Sequence, residues 1–171
     1  MEELKRKIRS IPDFPSEGIL FRDITTLIKE GPAFREAVDL IAGRFRGESI
    51  DSVACIEARG FIFGGALAYI LGAGLVPIRK KGKLPAQVYS QSYDLEYGRD
   101  ELEVHRDAFA PGQRVLLIDD LLATGGTASA SVRLIEEAGA EAAGVAFLIE
   151  LTDLKGIDKL EGYPVFSILR Y

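Results

Sequence analysis

The run V-L-L-I-D-D-L-L-A-T-G-G-T, Val115 to Thr127, decides how this chain folds. Its first four residues are a continuous apolar stretch of the kind that fills a strand buried on both faces of a parallel sheet. Asp119 and Asp120 come next and are expected to end that strand. Ala123-Thr124-Gly125-Gly126-Thr127 is then small, hydroxylated and glycine-rich, and a helical pattern starts at Ala128. In open α/β sheets ligands lie beyond the carboxyl ends of the strands, so the loop stands where a site belongs.

The residue types of the loop suit an anion. Gly125 and Gly126 permit backbone angles closed to other residues, so successive N–H groups converge, and Thr124 and Thr127 add hydroxyl donors. The helix behind them points its positive end at the same spot. The carboxylates would repel a phosphate placed directly on them. They suit hydroxyls beside the phosphate, or a metal, so the pattern points to a phosphorylated sugar. The loop lacks the Lys-Ser or Lys-Thr of a P-loop and the G-x-G-x-x-G of a dinucleotide site.

Working outward, the 171 residues are expected to form one domain, 1–171, with 47% hydrophobic and 27% charged residues, the balance of a soluble globular chain. No apolar run reaches the roughly 20 residues of a membrane span, and the charged amphipathic start does not read as a signal peptide. Cys55 is the only cysteine and lies in an apolar run, which fits a reducing cytoplasm. The single His105 argues against histidine-based metal or triad chemistry. A net charge of −5 disfavours nucleic acid, so an anionic substrate needs a local cluster of cations.

Glu2 to Ser10 reads as a short amphipathic helix closed by Pro12 and Pro15. Ile11 to Ile24 is Pro- and Gly-punctuated yet carries Phe14, Ile19, Leu20 and Phe21, so this arm must cover something. A helix is expected from Pro32 to Phe45, and a buried strand over Ser52–Ile56. Glu57-Ala58-Arg59-Gly60-Phe61 then leads into an apolar helix through Leu71, repeating the strand–loop–helix logic with Arg59 placed to grip a second anion. Leu75–Ile78 is the next strand, and Arg79-Lys80-Lys81-Gly82-Lys83 at its carboxyl end faces either solvent or phosphate. Gln87–Tyr97 and Glu101–Val104 read as an extended ribbon with little core to bury, which predicts a flexible lid. A helix from Thr127 to Ala138, a strand over Ala142–Leu151, a short helix over Lys155–Leu160 and a strand over Val165–Leu169 complete an α/β fold. Its sheet is predicted to be mostly parallel, twisted and flanked by helices.

The central run resembles, at all thirteen positions, the phosphoribosyl pyrophosphate signature of the type I phosphoribosyltransferases. F-P-S-E-G-I-L-F-R-D-I from Phe14, A-R-G-F-I-F-G from Ala58, I-R-K-K-G-K-L-P from Ile78, Y-D-L-E-Y-G from Tyr93 and L-I-E-L-T from Leu148 resemble the adenine phosphoribosyltransferases, in that family's order. The resemblance implies the family's fold, with an N-terminal hood over about residues 1–30 and a flexible ribbon. It implies that Phe21 stacks on adenine, that Leu20 and Leu151 close an apolar slot, and that the Arg22 backbone reads the purine edge. Arg59 becomes the pyrophosphate-loop arginine, with a non-proline cis peptide near Glu57-Ala58. Glu96 becomes the acid that handles the adenine proton, with Tyr97 beside it. Asp119 and Asp120 hold ribose hydroxyls, directly or through metal-bound water, Asp120 less directly if strand geometry persists. Ala123, Thr124, Gly125, Gly126 and Thr127 hold the 5-phosphate, and Lys80, Lys81 and Lys83 neutralise pyrophosphate.

The implied reaction is attack of adenine on the anomeric carbon with loss of pyrophosphate, through a transition state resembling an oxocarbenium ion. Mg²⁺ is implied as a cofactor bound mainly through substrate and water, with no dedicated protein metal ligands, and the implied assembly is a homodimer. Glu57 departs from the pattern, since relatives often carry Asp there. Transfer to another base, or a regulator that senses phosphoribosyl pyrophosphate, are the alternatives; the second usually needs a DNA-binding domain.

Overall fold

Ser52–Ile56 (β3) is a run of small and apolar residues, and all five are buried, as a strand covered on both faces requires. It is the middle strand of a seven-stranded sheet in the order β5-β6-β4-β3-β7-β8-β9. The others are β4 Gly74–Lys80, β5 Val88–Asp94, β6 Arg99–His105, β7 Arg114–Leu122, β8 Glu141–Glu150 and β9 Val165–Arg170. Strands β4, β3, β7, β8 and β9 pair in parallel, and the β5–β6 hairpin adds to the β4 edge antiparallel. The structure is a computed structural model, and it describes residues 1–94 and 98–171.

Alternating side chains of β7 divide the core in two. Leu116 and Ile118 pack with Ile41 and Phe45 of α3 (Gly31–Phe45) and Phe63 and Leu67 of α4 (Gly60–Leu71). Val115 and Leu117 pack on the other face with Leu134 and Ile135 of α5 (Gly126–Glu137). The sheet is therefore parallel for the most part and covered by helices on both faces, as its sequence pattern predicts.

Four local expectations are corrected. Strand β7 does not stop at Ile118 but runs through both aspartates to Leu122, because β8 continues to pair with it to Glu150. The first helix, α1, is shorter than expected and covers Glu2–Arg6. Arg9–Ile11 (β1) pairs instead with Phe21–Asp23 (β2), and Thr26 of the short helix α2 (Thr25–Ile28) donates its hydroxyl to the Lys7 carbonyl at 2.5 Å. Lys155–Leu160 contributes a 3-10 turn, Gly156–Leu160, after another at Thr152–Leu154. The ribbon, finally, does bury a core: Tyr93, Leu102 and Val104 are all under one tenth exposed and belong to the α5-side cluster.

The hood is tied down by Asp23. Hydrogen bonding from Thr25 and from the Arg9 guanidinium (Nε 3.0 Å) holds its carboxyl at about 2. A carboxyl whose pKa is depressed in the folded state stabilises the fold above its unfolded value and loses that contribution as pH falls toward the folded one. Asp23→Asn is therefore expected to lower the melting temperature by roughly 3–6 °C at pH 6. The gap between variant and wild type should close between pH 4 and pH 2; a pH-independent gap in thermal melts would reject the charge-based role.

Candidate functional site

From β3 the chain moves outward to β4, and from β7 it moves the other way to β8, so the loops after these two adjacent strands part and leave a crevice between them. The loop after β3 carries Glu57, Ala58 and Arg59, with a cis peptide between Glu57 and Ala58. The loop after β7 carries Ala123, Thr124 and Gly125. At Gly60, the first residue of α4, an added Cβ would lie 3.0 Å from both Asp119 Oδ1 and the Ile118 carbonyl. Only glycine lets α4 begin this close to the paired acids.

Because strand geometry persists, the two acids part company. Asp119 lines a cavity of about 70 Å³ with Leu121 to Ala128, whereas Asp120 is absent from that lining. Asp120 is 4% exposed and meets Arg59 Nε at 2.9 Å. Its own N–H donates to Asp119 Oδ1 at 2.9 Å. Burial, then the charge of Asp120, pushes the Asp119 carboxyl well above the usual range. Burial also raises Asp120, with Arg59 opposing it. Such a pair resists being fully charged alone and favours a cation or hydrogen-bond donors brought in by a ligand.

The cradle is backbone-made. Gly125 adopts φ 76° just before α5, and no side chain among the described residues caps that helix. Its first-turn N–H groups are left to a ligand. Gly156, which the sequence reading did not single out, braces the loop from behind. An added Cβ at Gly125 would lie 2.2 Å from the Gly156 carbonyl oxygen, and one at Gly156 would lie 2.1 Å from that of Ala123. The two backbones touch with no room for a side chain. Tyr93 and Asp100 were also missed. The Tyr93 hydroxyl donates to Asp100 Oδ2 at 3.2 Å, and its ring lies 3.4 Å from where a Cβ on Gly126 would stand, so the ribbon reaches the cradle itself. Period-two aromatics in the ribbon gave the only hint of this.

Arg79 and Lys80 belong to β4, and the cations of the basic run are neither free nor merely solvated. Lys80 pairs with Asp100 at 2.9 Å and Lys81 with Glu101 at 2.8 Å. Glu57, mostly buried, accepts from Arg79 Nε at 3.3 Å, the Lys80 amide at 3.0 Å and the Lys83 ammonium. Burial alone would raise Glu57, but Lys83, the Lys80 amide and Arg79 together bring it below the usual carboxylate range.

Across the crevice lies the aromatic arm. Phe21 is half-buried in β2 with Phe14 edge-on at 5.1 Å, and the Arg59 guanidinium carbon lies 5.4 Å from the Phe21 ring centroid. Leu20 is 47% exposed. Leu151 follows β8 directly and donates its N–H to the Leu122 carbonyl at 2.9 Å, which sets it at the end of β7. Arg59 is thus the link between the aromatic arm and the acids. Glu96 and Tyr97 lie outside the described residues.

A family model described as a phosphoribosyl transferase domain matches residues 25–168. An adenine phosphoribosyltransferase of Clostridium perfringens is 58% identical over 168 residues, 98% of each chain. The crystal structure of one from Thermoanaerobacter pseudethanolicus superposes with a TM-score of 0.97 at 51% identity, covering 99% of both chains. One from Saccharomyces cerevisiae, solved with an imino-altritol bisphosphate and adenine, gives 0.93 at 39% identity over 97% of this chain and 96% of its own.

The bracing of the cradle is testable with Gly156→Ala, which forces the Ala123–Gly125 backbone to move. Affinity for a phosphorylated sugar such as ribose 5-phosphate, measured by calorimetric titration, should fall about tenfold or more. Unchanged affinity would show that the contact between the two glycines does not shape the loop.

Proposed function

The chain belongs to the phosphoribosyltransferase family, among the adenine phosphoribosyltransferases, and on that premise we propose that the cradle and the aromatic arm hold the two substrates of its reaction. That reaction transfers the 5-phosphoribosyl group of phosphoribosyl pyrophosphate to adenine, giving AMP and pyrophosphate in purine salvage. The observation that carries the assignment of residues is Arg59, which meets Asp120 at 2.9 Å and Phe21 at 5.4 Å within one crevice.

In this reading the backbone of Ala123 to Thr127 and the hydroxyls of Thr124 and Thr127 bind the 5-phosphate, and Asp119 accepts from a ribose hydroxyl. Asp120 acts through Arg59. Phe21 stacks on adenine, Leu20 and Leu151 bound its slot, and the Arg22 backbone reads the ring edge. As the glycosidic carbon gains positive character, charge accumulates on departing pyrophosphate, and Arg59, Lys80 and Lys83 offset it. Those lysines first exchange carboxylate for pyrophosphate oxygen, since each has an acidic partner. Glu96 handles the proton on the imidazole part of adenine.

Among the described residues no three metal-ligating side chains converge. Two adjacent carboxylates with raised pKa supply hard oxygen acceptors, a set that fits Mg²⁺ bound to substrate and keeping most of its waters. Asp119, which lines the cavity, would hold those waters, with Asp120 fixed on Arg59 beside it. The ion would neutralise pyrophosphate as it departs.

Residues 1–171 are read as one unit, with the hood over the core and the ribbon as a lid. A homodimer is supported by α4, twelve residues without a charge whose Ile62, Tyr69 and Ile70 stay exposed beside Leu75. A reducing cytoplasm is supported by Cys55, buried with its thiol pushed up to about 12. No described helix is long and apolar enough to cross a membrane.

Incubation with phosphoribosyl pyrophosphate, Mg²⁺ and each nucleobase in turn should yield AMP from adenine and no nucleotide from hypoxanthine, guanine or orotate. Binding of the donor with no product from any base would favour a sensor. Glu96→Gln is expected to lower kcat at least a hundredfold while donor affinity changes little; equal losses would reject proton handling. Asp119→Asn combined with Asp120→Asn should abolish donor binding in a protein that still melts cooperatively.

A further inference from the structure

The walls of the base slot come from opposite ends of the chain, Phe21 and Arg22 from the hood and Leu151 from the end of β8. Strands β1 and β2 form their own two-stranded sheet and hydrogen-bond to none of the seven core strands. Side chains must therefore set how far the hood stands from Leu151. Tyr171, one residue beyond β9, lies between the two. Its backbone is fixed on the core side: its N–H donates to the Glu150 carbonyl at 3.0 Å, and its backbone oxygen accepts from the Thr152 N–H at 2.8 Å and the Thr152 hydroxyl at 2.7 Å. These bonds bracket Leu151 on both sides.

The ring of Tyr171 faces the hood. The Arg22 guanidinium carbon lies 3.9 Å from the ring centroid and the Lys5 ammonium 4.6 Å, and the hydroxyl donates to the Lys5 carbonyl at 3.3 Å. Arg22 has one other hold, Nη1 to the Ser10 hydroxyl at 2.5 Å, while its Nε is buried with no hydrogen-bond partner among the described residues. A guanidinium that leaves one N–H without a partner while its central carbon lies over an aromatic ring is held in part by the cation–π contact.

We propose that Tyr171 is a positioning residue of the adenine slot, its ring fixing the distance between Arg22 of the hood and Leu151 of the core. The proposal rests on the assignment of Phe21, Arg22 and Leu151 to adenine. Leu4, Ile8, Ile24 and Leu27 seat the hood on the core, and the ring adds the contact on the side of the slot. Tyr171 touches neither the cradle nor Arg59 in any contact described above, so its effect falls on the base and not on the donor.

Steady-state kinetics of the full chain separate the two. Tyr171→Ala should raise the KM for adenine about tenfold, the effect of losing one desolvated cation–π contact. The Kd for phosphoribosyl pyrophosphate and kcat should stay within twofold. Tyr171→Phe keeps the ring and should restore the KM, whereas Tyr171→Leu keeps bulk without π electrons and should remain impaired even if the alanine variant folds poorly. A KM for adenine unchanged in the leucine variant, or equal losses for both substrates, overturns the proposal. In either case wild-type AMP formation shows that the function itself stands; no AMP from wild type would defeat the function and this proposal together.

Discussion

A carboxylate buried near the end of a strand is expensive unless a cation meets it, and the bond between Asp120 and Arg59 offsets part of that cost for this fold. It ties the loop after β3 to the end of β7 across the point where the strand order reverses. Because Arg59 also approaches Phe21, the same bond sets the aromatic arm relative to the acids. Asp119, one residue away and on the other side of the strand, has burial, a like charge and the Asp120 N–H, so its carboxyl is raised and no salt bridge among the described residues offsets it. Under the proposed function a sugar hydroxyl or a hydrated cation would do so, in the cavity of about 70 Å³ beside the loop.

The opposite economy governs the basic run. Lys80, Lys81 and Lys83 enter with carboxylates already attached, through Asp100, Glu101 and Glu57. Cations without partners would repel one another at the end of β4 and bind any passing anion. Paired cations exchange their carboxylates for a ligand of higher charge density, which under the proposed function would be pyrophosphate. Asp100 also accepts from Tyr93, whose ring packs beside Gly126 at the start of α5. Lys80, Asp100 and Tyr93 therefore link the basic run through the ribbon to the cradle, and the ribbon is docked by its core residues as well as by this link.

The places where reading the sequence went astray have one cause. Asp119 and Asp120 were expected to end a strand because two charges in an apolar run look like its boundary, yet β8 supplies ladder partners and Arg59 supplies the charge. The ribbon reads as having little core to bury because its own apolar residues are few, yet Tyr93, Leu102 and Val104 join the core with α5 and β7. Arg9 and Ser10 fall in a helical expectation because local periodicity favours it, yet Thr26 and Asp23 capture Arg9 from fourteen or more residues away. In each case a contact distant in sequence outweighed the local preference.

Sequence by itself determined the cradle and the succession of strands and helices. Those depend on neighbours within a dozen residues: an apolar run of strand length, two glycines, two threonines and a helix start. It also carried the resemblance that named the two substrates. Tertiary structure alone decided that Asp119 faces the cavity while Asp120 faces Arg59, that Gly156 braces Gly125, that Glu57 gathers the basic run, and that Tyr171 spans the hood and the core. Each of these joins residues that no periodicity or turn signal connects, so their pairing becomes visible only once the sheet has brought them together.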